Sequence, residues 1–180
     1  MLSQTEPAYE IHTNRELEFM LTRGKPLAHF CDAYPPLPLE DVIPRKAFAP
    51  YVLSGNFERR IFVAPLIEPA PVGAPHIKGT IHFLYSIPSE SWRIDAYIAM
   101  LSEAARAGWS EHFERLQGTL LGYLDWQNDA HIASVLKNPV VRHWPWVRRL
   151  RQQMKVDLAQ SLRTPPQSGH SRLAASGRFC

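Results

Sequence analysis

The sequence is poor in cysteine and has no long apolar run. Its two cysteines are Cys31, inside an apolar stretch, and Cys180, the last residue, and no Cys-x-x-Cys spacing occurs. We therefore expect free thiols, a cytoplasmic location and a buried Cys31 that acts as a small hydrophobe. No stretch approaches the roughly 18 consecutive apolar residues of a transmembrane helix, and the first ten residues do not resemble a secretory signal.

Several motifs that are typical of enzymes are also missing. The chain has no Gly-x-Gly-x-x-Gly or Gly-Lys-Ser/Thr phosphate loop, no Gly-x-Ser-x-Gly nucleophile elbow and no His-Glu-x-x-His metal motif. From the sequence we expect neither a cofactor nor a metal, and whether the protein is an enzyme stays open. No internal repeat is visible.

Length and composition are those of one globular domain. The chain has 180 residues, of which 45% are hydrophobic and 21% charged, enough to bury a core without disulfides. We predict a flexible stretch over 1–12, a single domain over 13–162 and a disordered tail over 163–180. That tail is rich in serine, glycine and proline and has little to bury.

Charge is distributed unevenly along the chain. Residues 137–180 hold nine of the 20 Lys and Arg residues but only one of the 17 acids, Asp157. An asymmetry of this kind predicts either an interaction arm or a segment that docks on an acidic body.

Periodicity and capping signals predict an α+β fold. A capping box at Thr13 and Glu16 begins a helix over 13–23, and a buried strand follows over 26–31. The proline-rich stretch 32–56 is either a functional loop or holds a short helix from Pro44 to Gly55. The later elements are a central hairpin of strands 57–67 and 76–87, helices over 91–107, from Ser110 and over 125–136, and a basic helix over 147–162. Together they indicate a small antiparallel sheet of three or four strands with helices over one face.

The strand over 76–87 has the clearest alternation. Ile77, Ile81, Phe83, Tyr85 and Ile87 should face the core, while His76, Lys78, Thr80, His82 and Ser86 should face water. The polar row is either an ordinary wet face or the wall of an anion-binding groove.

The basic segment is the first candidate site. It interleaves cations with indoles: Arg142, Trp144, Trp146, Arg148, Arg149, Arg151 and Lys155. Three interpretations remain open: an apolar stripe of Val147, Leu150 and Met154 packs on the body and leaves the cations in solvent; the segment binds a protein partner; or residues 142–155 bind nucleic acid or an anionic membrane surface.

The second candidate site is a pocket that combines histidines with acids. Glu111 is predicted on the helix that Ser110 begins, and Asp129 and His131 on the next one. If the two helices pack antiparallel, these groups can converge, and the pocket would add His76, Lys78 and His82 from the sheet. The alternative for the acids is helix capping and an ordinary Glu111–Arg115 pair. Gly118 and Gly122, spaced i,i+4, predict either close approach of another backbone or a helix end.

The sequence thus favours a non-catalytic adaptor, regulator or inhibitor that binds a protein partner through the basic segment. The alternative is an enzyme or small-ligand-binding protein with a His/acid pocket at the sheet face.

Overall fold

The computed structural model describes residues 9–22, 24–35, 43–65 and 77–138, together with Val147, Arg148 and Gln152. Over these residues the chain has the predicted α+β fold, a three-stranded antiparallel sheet and five α-helices. In chain order the elements are α1 (Glu16–Leu21), β1 (Leu27–Tyr34), α2 (Arg45–Leu53), β2 (Glu58–Pro65), β3 (Gly79–Ser86), a 3₁₀ turn (Pro88–Glu90), α3 (Trp92–Ala107), α4 (Glu111–Leu120) and α5 (Asp125–Lys137).

The strand order is β1–β3–β2, so β3 is the central strand. The predicted β2–β3 hairpin is confirmed, with Phe62 opposite His82. On its other edge β3 pairs antiparallel with β1, which sets Cys31 opposite His82 and His29 opposite Leu84. Because side chains opposite one another in a pair share a face, these four groups lie on one side of the sheet.

Helices cover both faces of the sheet, not the single face expected from the sequence. One core cluster joins Phe83 and Tyr85 of β3 to α1 and α2 through Met20 and Phe48. The other cluster lies on the opposite face, where α3, with α4 behind it, covers the sheet. Its members are Leu27, Leu84, Ile94, Tyr97, Met100 and Leu120.

The prediction that one face of the central strand is exposed to water is therefore wrong. Ser86 and Leu84 have no exposed surface, and His82 is 7% exposed, because α3 packs against this side of β3. Alternation identified the two faces correctly, but it cannot tell whether a second layer of helices covers the more polar one.

The N-terminal helix and the proline-rich stretch also differ from expectation in detail. Helix α1 begins at Glu16 after Arg15, so the predicted capping box at Thr13 does not form. The short helix predicted to begin at Pro44 is confirmed as α2, and it ends before Gly55, whose φ of 74° suits glycine. Residues 36–42 lie outside the described part of the chain.

Helix α4 packs against α3 on one side and against α5 on the other. Gly118 and Gly122 each have one of the two roles predicted for glycine on this helix. Gly118 lies where a Cβ atom would be 1.9 Å from Oδ1 of Asn128 on α5, so it allows close approach of the two helices. Gly122, with a φ of 92°, follows the end of α4.

The described part of the basic segment begins docked on the body. Val147 is completely buried and packs with Ile132 of α5, whereas Arg148 is exposed. The rest of the predicted helix 147–162 apart from Gln152, and the whole of the predicted tail 163–180, lie outside the described residues. None of the helices in the described ranges combines the length and the apolar character needed to cross a membrane.

Candidate functional site

A chain of hydrogen-bonded polar side chains crosses the covered face of the sheet. His82 Nδ1 lies 2.9 Å from His29 Nε2, and His29 Nδ1 lies 2.9 Å from the Tyr97 hydroxyl. Gln117 Nε2 of α4 donates to the same hydroxyl at 2.6 Å. These hydrogen bonds join the sheet, α3 and α4 through groups that are far apart in the sequence, so they form only in the folded protein.

Strand geometry and helix packing account for this placement. His29 and His82 are diagonal neighbours on the adjacent strands β1 and β3, and their rings stack with centroids 5.1 Å apart. Tyr97 lies on the buried side of α3 and tilts against His29, with centroids 4.7 Å apart. One direction of donation satisfies every group: Gln117 to Tyr97, Tyr97 to His29, and His29 to His82.

Burial keeps both rings neutral near neutral pH. It lowers the pKa of His29 to about 3, helped by the neighbouring His82 and by Lys25. Burial also lowers the pKa of His82. Neutral imidazoles retain a lone pair, which is the form that binds a metal ion.

Cys31 extends this histidine pair, and its placement corrects the expectation of a core cysteine. The residue is exposed, although it lies on the same face of β1 as the buried Leu27. Partial burial of the thiol and the neighbouring Asp32 raise its pKa. Cys31 lies on the same face as His29 and directly opposite His82.

His29, Cys31 and His82 form a candidate metal centre. One ligand atom from each residue lies within 4.8 Å of the other two. In a tetrahedral zinc site, bond lengths of about 2.0–2.3 Å place neighbouring ligand atoms roughly 3.3–3.7 Å apart. The separations in the structure thus come within about 1 Å of those that one ion requires.

A second polar cluster lies between α4 and α5. His131 Nε2 is 2.9 Å from a carboxylate oxygen of Glu114, and Trp109 Nε1 donates to the other oxygen at 2.5 Å. Burial would raise the pKa of Glu114, but these two hydrogen bonds outweigh it and hold that pKa below its usual range. Glu114 and His131, together with Gln117, line an open cleft of about 340 Å³.

The predicted His/acid pocket is divided among separate partners. Glu111 and Asp129 do converge across the antiparallel helices, but both bind Arg115, at 2.7 and 2.5 Å, in an ion-pair network. His131 binds Glu114, and His82 binds His29. The backbone amide of Lys78 donates to the carbonyl of Tyr34 at 2.6 Å. His76 lies outside the described residues.

Of the partner-binding candidates, only Arg148 falls within the described residues, where it is exposed. The others lie outside them: Arg142, Trp144, Trp146, Arg149, Arg151 and Lys155.

Sequence reasoning missed His29, Tyr97 and Gln117. One signal was present, since His29 and Cys31 are spaced i,i+2 in a strand and must share a face. The pairing of β1 with β3, which adds His82, leaves no local mark in the sequence.

Comparison with known proteins gives no relative from which to read a function: no family model, no curated protein and no solved structure matches the chain.

Proposed function

We propose that this chain is a metal-binding protein that holds one transition-metal ion, with Zn²⁺ as the expected ion, through His29, Cys31 and His82. The observation that carries the proposal is the convergence of the three ligand atoms within 4.8 Å. Two imidazoles and a thiolate are borderline-soft donors, and zinc is commonly bound by such a set.

The hydrogen bond between Tyr97 and His29 supports the proposal further. Histidines that bind metals usually donate their second ring N–H to an oxygen, which fixes the tautomer and the ring orientation. When His29 Nε2 binds the ion, the ring proton must lie on Nδ1 instead, and the Tyr97 oxygen, 2.9 Å from Nδ1, can accept it. Gln117, on the far side, holds Tyr97 in place. We place the protein in a reducing, cytoplasmic compartment, where Cys31 stays a thiol.

Metal titration of the chelator-treated full chain tests the proposal. We expect Co²⁺ to bind one ion per chain, with a thiolate-to-cobalt charge-transfer band in the near ultraviolet, and Zn²⁺ to displace it. Cys31→Ser should remove the band. His29→Gln and His82→Gln should each weaken Zn²⁺ binding by about 10-fold or more. Loss of a hydrogen-bond partner outside the ligand shell already weakens metal binding by about this factor, and loss of a ligand should cost at least as much.

Two matched controls use groups outside the cluster. Cys180→Ser removes the other thiol of the chain, and His112→Gln removes an exposed histidine of α4. Neither should change stoichiometry, spectrum or affinity. Cobalt binding without the sulfur band, or a band that disappears in Cys180→Ser and not in Cys31→Ser, would overturn the proposal.

A second function, the binding of a protein partner by the basic segment, is favoured by the contrast between Val147 and Arg148. The apolar side chain is completely buried against α5, and the cation beside it is exposed. Anchoring at Val147 holds Arg148 at the surface before any partner binds, which lowers the entropic cost of binding through this residue.

A further inference from the structure

We propose that the metal centre keeps one coordination position open and that this position takes a small monodentate anion. The inference rests on the metal site proposed above, and it concerns what binds to the ion rather than whether the ion binds.

The described part of the chain supplies three ligands, one fewer than a structural zinc site has. Within the described ranges, no fourth histidine, cysteine or carboxylate joins His29, Cys31 and His82 within the same 4.8 Å. Zinc sites that are purely structural have four protein ligands, whereas sites with three protein ligands carry a water or an exogenous ligand in the fourth position.

The fold gives the fourth position an approach from solvent. Cover over this face of the sheet decreases along β3, from Ser86 and Leu84, which have no exposed surface, to Thr80, which is partly exposed. Along β1 it decreases in the same direction, from buried Leu27 to exposed Cys31. The centre therefore lies at the border between the α3-covered core and the open end of the sheet.

The charge of the loaded centre favours an anion. A divalent ion with one thiolate and two neutral imidazoles retains a single positive charge. The nearest acid in sequence, Asp32, belongs to the opposite side of β1 by strand alternation, and its carboxylate accepts from the backbone amide of Ala33.

The surroundings limit the size of the anion rather than its chemistry. Phe62 lies beside His82, with ring centroids 5.9 Å apart, and the Tyr97 ring lies beside His29. Apolar walls on two sides and solvent on the third suit a small ligand that binds the ion end-on. Azide is a suitable probe, because it is monoanionic, linear and a good ligand for cobalt and zinc.

The test is an azide titration of the Co²⁺-loaded full chain, followed in the visible d–d bands. We expect a saturable spectral change with one azide per chain, while the sulfur band persists. Sodium perchlorate, whose anion does not coordinate the metal, should not reproduce it at equal ionic strength. The apparent azide Kd should rise by up to tenfold per pH unit once the water in the fourth position ionises, since hydroxide then competes for the same site.

The outcomes separate the two proposals. If cobalt gives the sulfur band but azide leaves the d–d bands unchanged, the metal site stands and the open position is overturned. If azide binds with a Kd independent of pH, it binds away from the ion, and the inference again fails. If cobalt gives no sulfur band at all, the proposed function itself is wrong.

Discussion

At the scale of single residues, His12 shows how burial couples a side chain to pH. Its ring is stacked between Phe19 and Tyr123, with centroid distances of 4.4 Å to each, and only 8% of the residue is exposed. Its Nδ1 atom has no hydrogen-bond partner among the described residues. Burial, with Lys25 and Arg15, lowers the pKa of His12, while Glu10 opposes the shift.

The lowered pKa of His12 predicts a loss of stability in acid. Below an unfolded-state pKa of about 6.5, the unfolded chain takes up a proton before the folded one, so the free energy of unfolding falls as the pH decreases. His12→Phe keeps the aromatic stack and removes the titrating group. We expect its free energy of unfolding, measured by urea titration between about pH 5 and 8, to fall less steeply with acid than that of the unchanged chain.

Two other buried histidines should also contribute to the loss of stability in acid. The pKa values of His29 and His82 are lowered too, so part of the acid sensitivity must remain in His12→Phe. Parallel curves for His12→Phe and the unchanged chain would show that His12 titrates alike in the folded and unfolded states.

At the scale of elements, the packing of α4 on α5 depends on the absence of a side chain at Gly118. In Gly118→Ala the new Cβ would meet the Asn128 amide, which is buried and donates to Thr119 Oγ1 at 3.2 Å. The gain of roughly 1 kcal/mol in helix propensity is too small to offset the overlap. We expect a net loss of about 1–3 kcal/mol in the free energy of unfolding, typical of an overpacked site.

A double-mutant cycle identifies the cause of that loss. Asn128→Ala removes the group that the new methyl would meet, so Gly118→Ala should cost less in the Asn128→Ala background than alone, as measured by denaturant unfolding. An equal cost in both backgrounds would place the strain elsewhere on α4.

Most elements were predictable because their signals are local. The α3 stripe with Gly108 at its end, the Ser110 cap of α4 and the alternation of β3 each occupy a short stretch of sequence. The serine side chain does accept from the amide of Phe113, at 3.4 Å. The errors concern boundaries and burial: β1 continues to Tyr34, three residues beyond its predicted end, and Cys31 is exposed rather than buried.

At the scale of the whole molecule, the candidate metal centre could not be predicted because its parts meet only through long-range pairing. His29 and His82 are 53 residues apart, and the sequence predicted the β2–β3 hairpin but not the pairing of β1 with the other edge of β3. The predicted His/acid pocket also depends on contacts between distant elements. In the structure Arg115 binds both Glu111 and Asp129 in an ion-pair network on α4 and α5, and His82 binds His29.

Whether the basic segment is a free arm or packs on the domain is also a question at this scale. Its charge suggests a free arm, whereas the burial of Val147 indicates that it packs on the domain. Val147 is completely buried against Ile132, so Val147→Ala should lower the free energy of unfolding of the full chain by about 1–3 kcal/mol through lost apolar contact. Arg148→Gln, at the exposed neighbouring position, should change it by no more than about 0.5 kcal/mol. Urea unfolding of both variants decides between the two pictures. A free arm predicts no effect from either substitution, whereas a docked segment makes Val147 part of the core and leaves the cations available to a partner.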